Sequence, residues 1–141
     1  MTKKKIAWID DEINKFLLRP YIDELEENNY EVDKINSTEN LIQHLKEESA
    51  SLDAILVDII MPPGGVNVTE ARGGLRTGLV VLKNIKAEPS LRDITLIAFT
   101  NLDDDDTKKY CEDNHIPHIV KSKFFSDEFV SKISDIINNK G

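Results

Sequence analysis

The stretch Ala54-Ile55-Leu56-Val57-Asp58-Ile59-Ile60-Met61-Pro62 is the most hydrophobic of the candidate strands. Its four apolar residues before the acid predict a central strand that is buried on both faces, as in a parallel sheet. Asp58 follows this run directly, and burial of a carboxylate costs stability unless the group is paired or has a function. The stretch therefore predicts both a parallel sheet and a functional carboxylate at the end of its central strand.

Short apolar segments alternate with longer amphipathic segments on both sides of this strand. The alternation predicts an α/β fold, a single doubly wound (βα)5 domain with a central five-stranded parallel sheet. The predicted strands are residues 5–9, 30–35, 54–57, 95–99 with Thr100 at the end, and 118–120. The predicted helices lie within residues 13–28, after Ser37 and Thr38, and at 78–88, 107–114 and 127–138.

The composition describes one soluble globular domain covering residues 1–141. The chain is 40% hydrophobic and 31% charged, with a formal net charge of −8. An acidic balance argues against direct binding of nucleic acid, because phosphate backbones are bound by clustered lysine and arginine. The apolar run after Lys5 is interrupted at Asp10, which leaves neither a signal peptide nor a membrane span. With a single cysteine, Cys111, the chain fits a cytoplasmic protein without membrane contact.

Polar residues end four of the five predicted strands: Asp10 with Asp11, then Asp58, Thr100 and Lys121. The carboxyl ends of parallel strands meet at one edge of the sheet, so these side chains are expected to converge. Three clustered carboxylates repel one another unless a cation is present. Oxygen ligands of this kind favour Mg²⁺. The alternative for Asp10 and Asp11 is that they only cap the first helix.

These residues, in this order, resemble the response-regulator receiver domain of two-component signal transduction. The matching stretches are Ile-Ala-Trp-Ile-Asp10-Asp11-Glu12, Ile-Leu-Val-Asp58-Ile-Ile-Met61-Pro62, Thr77-Gly78, Leu-Ile-Ala-Phe-Thr100-Asn101 and His118-Ile-Val-Lys121. The resemblance covers nearly the whole chain. It implies a flavodoxin-like fold and a cytoplasmic phosphoprotein that works as a phosphorelay switch.

By this resemblance Asp58 is the phosphoacceptor, which takes a phosphoryl group from a sensor histidine kinase or a phosphotransfer protein. Mg²⁺ would be held by Asp10, Asp11, Asp58 and the main-chain carbonyl of Ile60. The domain would catalyse its own phosphorylation and dephosphorylation, although its main role would be that of a switch. Such a reaction is nucleophilic catalysis by a carboxylate.

The resemblance also implies a catalytic lysine and a switch pair. Lys121 would pair with Asp58 and then with a phosphoryl oxygen, and Thr100 would donate its hydroxyl to another. Thr100 and His118 would pass the change to the surface of the fourth helix and fifth strand, where a downstream effector or a second copy of the chain would bind. His118 replaces the usual aromatic residue and would make the switch sensitive to pH.

The sequence departs from the receiver pattern in two places. Ser122 follows Lys121 where a proline is usual, and Lys123 is an alternative active-site lysine. The stretch 63–77 is a Gly-rich insertion after the third strand, about a dozen residues longer than a typical loop. It could close over the phosphoryl group through Arg72 and Arg76, contact a particular kinase, or be a tolerated insertion.

Other functions remain open on the sequence alone. The main alternative is a receiver-like protein-interaction module that works without phosphorylation. A phosphatase with an aspartate nucleophile is disfavoured because Asp10-Asp11-Glu12 lacks the Asp-x-Asp motif. The sequence shows no effector domain after the final helix, so we expect output through a bound protein, or a chain that is a fragment of a longer regulator. The acidic run 103–106 is expected to cap the fourth helix.

Overall fold

A computed structural model describes residues 3–74, 76–101, 105–121 and 125–139. It contains one parallel five-stranded sheet in the order β2-β1-β3-β4-β5. The strands are β1 (Lys4–Ile9), β2 (Tyr30–Ile35), β3 (Ala54–Val57), β4 (Thr95–Thr100) and β5 (His118–Val120). The predicted α/β fold and all five predicted strands are confirmed.

Five α-helices connect and follow the strands within the described residues. They are α1 (Arg19–Glu27), α2 (Leu41–Glu48), α3 (Thr77–Ala87), α4 (Asp105–Asp113) and α5 (Ser126–Asn138). Helix α4 begins two residues before its predicted start, because Asp105 and Asp106 occupy its first turn, where the helix dipole favours acids. Asp103 and Asp104 lie outside the described residues. None of the helices described is both long enough and apolar enough to cross a lipid bilayer.

Each face of the sheet has its own apolar core, because alternate strand residues point to opposite sides. Ile9, Val57 and Ala98 pack with residues of α2, α3 and α4 on one face. On the other face, Leu56 and an aromatic cluster pack against α1 and α5. The cluster consists of Trp8, Tyr21, Phe99 and Phe129, and the closest pair is Phe99 and Phe129 with ring centroids 4.5 Å apart. The helices are thereby fixed on both sides of the strand ends.

The glycine-rich stretch between β3 and α3 is folded against the connection between β2 and α2. The hydroxyl of Thr38, which is buried, donates to the carbonyl of Pro63 and accepts from the amide of Gly65 at 2.8 Å. Ala71 is fully buried, and its carbonyl accepts from the Arg76 amide at 2.8 Å. The first end of the stretch is thus bonded to Thr38, and its last residues are bonded to each other through their backbone.

The two arginines of this stretch are placed differently. Arg72 is exposed at a left-handed backbone position, with φ of 50°. Arg76 is mostly buried, and its Nη2 lies 3.7 Å from Asp106 Oδ2 at the start of α4. Arg76 thus connects the end of the stretch to the fourth helix.

Candidate functional site

Asp10 and Asp58 directly follow β1 and β3, which are neighbouring strands. The hydrogen-bond ladder of the sheet extends one residue past each strand: Asp10 N donates to Ile35 O and Asp58 N donates to Ile9 O, both at 2.9 Å. These bonds hold the two acids side by side at the ends of adjacent strands. Asp11 completes a cluster in which one carboxylate oxygen from each acid lies within 4.8 Å of the others.

Asp10 is completely buried, and both of its oxygens have hydrogen-bond donors. Its Oδ1 accepts from the amide of Glu12 at 2.9 Å, a local turn that fixes the side chain as the chain leaves the sheet. Its Oδ2 accepts from Lys121 Nζ at 2.7 Å. Charge-assisted bonds of this kind are what makes a buried carboxylate tolerable.

Asp58 is only 6% exposed, and its Oδ1 accepts from the amide of Ile59 at 2.8 Å. The pKa of Asp58 is raised to about 6, and burial is the largest cause; the charge of Lys121 lowers this pKa, and the nearby charge of Asp10 raises it. A hydrogen bond from the hydroxyl of Thr100 acts in the opposite direction and favours the carboxylate. The pKa of Asp11 is raised as well, first by burial and then by the negative charge of Asp10. The cluster therefore resists full ionisation by itself.

Lys121 contacts both buried acids from the end of β5. Its Nζ donates to Asp10 Oδ2 at 2.7 Å and to Asp58 Oδ2 at 3.3 Å, and its side chain is 13% exposed. Burial by itself lowers the pKa of Lys121, but the two carboxylates outweigh it and the pKa is raised overall. The expected contact with Asp58 is present, although the shorter bond goes to Asp10. Ser122 and the alternative Lys123 lie outside the described residues.

Thr100 and His118 lie on the same face of two adjacent strands. Thr100 is buried opposite Val120, whereas His118 is half-buried opposite Ala98. Since side chains alternate along a strand, residues two positions apart share a face, and here that face packs with α3 and α4. The structure thus brings the hydroxyl that contacts Asp58 and the half-buried imidazole into neighbouring positions.

Two residues at the start of α3 fix the backbone behind the acids, and the sequence indicated them only as part of a motif. Gly78 N donates to Ile59 O at 2.8 Å, and a Cβ at Gly78 would lie 2.1 Å from the carbonyl oxygen of Asp58. Thr77 is completely buried, and its Oγ1 donates to Met61 O at 2.6 Å. Only glycine allows the helix to approach β3 this closely.

The chemistry of the acid cluster fits a divalent cation such as Mg²⁺. Carboxylate oxygens on three different residues lie in one small region, and the pKa values of two of these acids, Asp11 and Asp58, are raised first by burial and then by the negative charge of Asp10. Mg²⁺ prefers oxygen ligands and often keeps water in its remaining positions. Ile60, whose carbonyl is the fourth expected protein ligand, lies in an exposed bend two residues after Asp58.

No protein-family model and no curated protein sequence matches the chain. Solved structures do match it over almost its whole length. A response-regulator receiver domain protein from Clostridium thermocellum has a TM-score of 0.72 at 22% identity, covering 97% of this chain and 96% of that one. A CheY-like receiver domain protein from Methanospirillum hungatei has a TM-score of 0.70 at 17% identity, covering 98% and 96%.

A third match carries a chemical description in its name. The BeF3-activated receiver domain of DrrB, a Thermotoga maritima protein, has a TM-score of 0.69 at 18% identity, covering 97% of this chain and 99% of that one. The chain therefore has the fold of CheY-like response-regulator receiver domains, which is a flavodoxin-like arrangement. The acid cluster and Lys121 lie at the carboxyl edge of that sheet, where open α/β sheets bind their ligands.

Proposed function

We propose that this protein is a phosphoaccepting receiver domain, with Asp58 as the phosphoacceptor. The observation that carries the proposal is the ion-pair arrangement at the sheet edge, where Lys121 Nζ lies between Asp10 and Asp58 at 2.7 and 3.3 Å. An exposed ion pair contributes little and can occur anywhere on a surface. A buried lysine between two buried acids is costly to assemble, which favours a functional reason for it.

In the reaction, a carboxylate oxygen of Asp58 forms a bond to the phosphorus of a phosphohistidine. The bond between phosphorus and the imidazole nitrogen breaks, and its electron pair stays on that nitrogen. The product is an acyl phosphate on Asp58. In dephosphorylation, water attacks the phosphorus, the acyl phosphate oxygen leaves as the Asp58 carboxylate, and inorganic phosphate is released.

The other residues position and neutralise the transferring group. When bound, Mg²⁺ would offset negative charge on the phosphoryl oxygens. Asp10 and Asp11 would hold it together with Asp58 and the carbonyl of Ile60. Lys121 donates to a phosphoryl oxygen from the position where it now meets Asp58 Oδ2. Positioning and charge neutralisation are most of what phosphoryl transfer requires of a protein.

The hydroxyl of Thr100 exchanges its bond to the Asp58 carboxylate for one to the phosphoryl group. His118, on the same face of the neighbouring strand, responds to this exchange and alters the surface formed by α4 and β5. A downstream effector protein or a second copy of the chain binds there, and a sensor histidine kinase or phosphotransfer protein supplies the phosphoryl group. The setting of this relay is cytoplasmic, and the whole of 1–141 acts as one receiver unit with its insertion at 63–77.

The proposal is tested by the intact mass of the protein after incubation with Mg²⁺ and a small phosphodonor such as phosphoramidate. One phosphoryl adduct is expected in the native chain, and none in Asp58→Asn or after chelation of the metal. Asp113→Asn is the matched control, since Asp113 is an exposed acid of α4 whose Oδ2 pairs with Lys109 at 3.3 Å.

An adduct of equal size in Asp58→Asn would refute Asp58 as the acceptor. Absence of an adduct both from the small donor and from a phosphohistidine kinase would favour the phosphorylation-independent interaction module instead. Thr100→Ala and Lys121→Gln refine the result, because both are expected to lower the phosphorylation rate while leaving the site of modification unchanged.

A further inference from the structure

A cavity of about 410 Å³ lies at the opposite end of the sheet from Asp58. It is formed where β4 begins at Thr95 and where residues 114–117 lead from α4 into β5. Helix α3 contributes Lys86 and helix α5 contributes Ile136. The volume falls in the range of about 300–1,000 Å³ that small-molecule sites occupy. None of these residues takes part in the phosphoryl site.

The charge of the cavity lining is opposite to that of the protein. Lys86, Arg92 and His115 line it, and among the described residues that line it Asp93 is the one acid. Two basic side chains, Lys86 and Arg92, thus outnumber this one acid in a chain whose formal net charge is −8. Within the described residues, Lys86 and Arg92 have no carboxylate within the 4.0 Å of an ion pair. Their charges are available to a bound anion.

Thr95 supplies a polar atom inside the cavity wall. Its hydroxyl oxygen is inaccessible to solvent and has no hydrogen-bond partner among the described residues. A buried hydroxyl without a partner costs about 1–3 kcal/mol, so native proteins rarely leave one in that state. The space of the cavity does not reach this oxygen, so the hydroxyl is a buried part of the wall and not a contact for a ligand.

Most of the remaining wall is apolar, and Asn114, whose side-chain amide donates to Tyr110 O at 2.9 Å, is a further polar lining residue. The apolar lining residues are Leu91, Ile94, Leu96, Ile116, Pro117 and Ile136. Ile94, Leu96 and Ile136 keep part of their surface open to solvent, which an apolar part of a ligand would cover. Few charged groups on an apolar wall are typical of sites that bind small organic molecules.

We propose that this cavity binds a small organic phosphate, in which a phosphate monoester is joined to an apolar or aromatic body about the size of a nucleoside. Arg92 and Lys86 contact the phosphate, because charge-assisted bonds to phosphate are the strongest polar contacts available here. The apolar wall packs against the body. The site is separate from Asp58 and does not depend on phosphorylation.

The test is isothermal titration of the full chain with AMP, carried out without Mg²⁺ so that the acid cluster cannot recruit the phosphate through a metal. Saturable binding of AMP is expected, with adenosine and inorganic phosphate each at least tenfold weaker. Arg92→Gln and Lys86→Gln should each weaken AMP about tenfold, which corresponds to ~1.4 kcal/mol. Lys83→Gln, a change at an exposed lysine of the same helix, should leave binding unchanged.

Thr95→Val is a second control, since it keeps the side-chain shape and removes a hydroxyl that the ligand does not reach. This variant should bind AMP as tightly as the native chain and should be more stable, because a buried hydroxyl without a partner is removed. Absence of saturable AMP binding, or equal binding in Arg92→Gln and Lys86→Gln, would overturn the proposal. Loss of AMP binding in Asp58→Asn would also overturn it, because the ligand would then lie at the acid cluster.

Discussion

Replacing Gly78 with alanine tests the close packing between α3 and the end of β3. The added Cβ would lie 2.1 Å from the carbonyl oxygen of Asp58 and 2.5 Å from the Cα of Ile59. Non-bonded carbon atoms normally sit about 3.5–4.0 Å from their neighbours, so the overlap is more than 1 Å with two backbone atoms. Helix α3 must therefore move away from the strand, or the strand must shift beneath Asp58.

The expected cost follows from two opposing terms. Overpacking costs about 1–3 kcal/mol, and the backbone overlap at Gly78 places this variant at the upper end. Alanine regains about 1 kcal/mol through its higher helix propensity. The free energy of unfolding should therefore fall by ~2 kcal/mol. With an unfolding entropy of ~0.3 kcal/mol/K for a chain of 141 residues, the Tm should fall by ~7 °C.

Thermal and urea unfolding, followed by the fluorescence of the single tryptophan, Trp8, measure this loss. Gly73→Ala is the matched control, because nothing lies within 4 Å of a Cβ there and only its φ of +66° opposes alanine. That control should lose about 1 kcal/mol, the usual cost of a left-handed backbone for alanine. A Gly78→Ala protein as stable as the native chain, or less affected than Gly73→Ala, would refute the packing argument.

Three further changes test separate parts of the structure. Phe129→Ala should lower the free energy of unfolding by about 3–5 kcal/mol, because it removes the centre of the aromatic cluster; a loss below about 1 kcal/mol in urea unfolding would contradict this. Burial raises the pKa of the Cys111 thiol to about 11, so its alkylation by iodoacetamide at pH 8 should be at least ~100-fold slower than that of a free thiol and should accelerate as the pH rises. A rate equal to that of the unfolded protein would show that Cys111 is exposed. Thr38→Val should speed amide hydrogen exchange at Gly65 by at least about tenfold, because the Gly65 amide loses its bond to the Thr38 hydroxyl. Exchange at Ile133 of α5 should stay unchanged. Equal exchange of Gly65 in the native chain and in Thr38→Val would contradict the attachment of the stretch to Thr38.

The strands could be predicted because each is a short apolar run that a helix cannot use. The four residues Ala54–Val57 are all buried, as a central parallel strand requires. The start of α4 was predicted less well. The run 103–106 was expected to cap this helix, and in the structure Asp105 and Asp106 already belong to its first turn, where the helix dipole favours their charge.

The convergence of the acids could also be predicted, because parallel strands bring their carboxyl ends to one edge. Asp10, Asp58, Thr100 and Lys121 meet there as the order of the strand ends implies. The preference of Lys121 for Asp10 could not be predicted, since it depends on side-chain distances that differ by only 0.6 Å, from 2.7 to 3.3 Å.

Contacts between segments that lie far apart along the chain could not be predicted either, because they also depend on how side chains pack in the folded structure. The sequence places Thr38 just before the second helix, whereas its hydroxyl bonds to Pro63 and Gly65, which lie 25 and 27 residues further along the chain. The cavity beside Thr95 joins α3, β4 and α5, and no sequence pattern relates those elements. Tertiary packing, rather than local propensity, determines both features.

The most direct test of the account is to locate the phosphoryl group. The protein is phosphorylated with phosphoramidate and Mg²⁺, the acyl phosphate is trapped with borohydride, and the modified residue is identified by tandem mass spectrometry of proteolytic peptides. The account predicts conversion of Asp58 alone, with Asp10 and Asp11 unmodified. Trapping at Asp10 or Asp11, or at several acids without preference, would contradict the assignment of Asp58 as the phosphoacceptor.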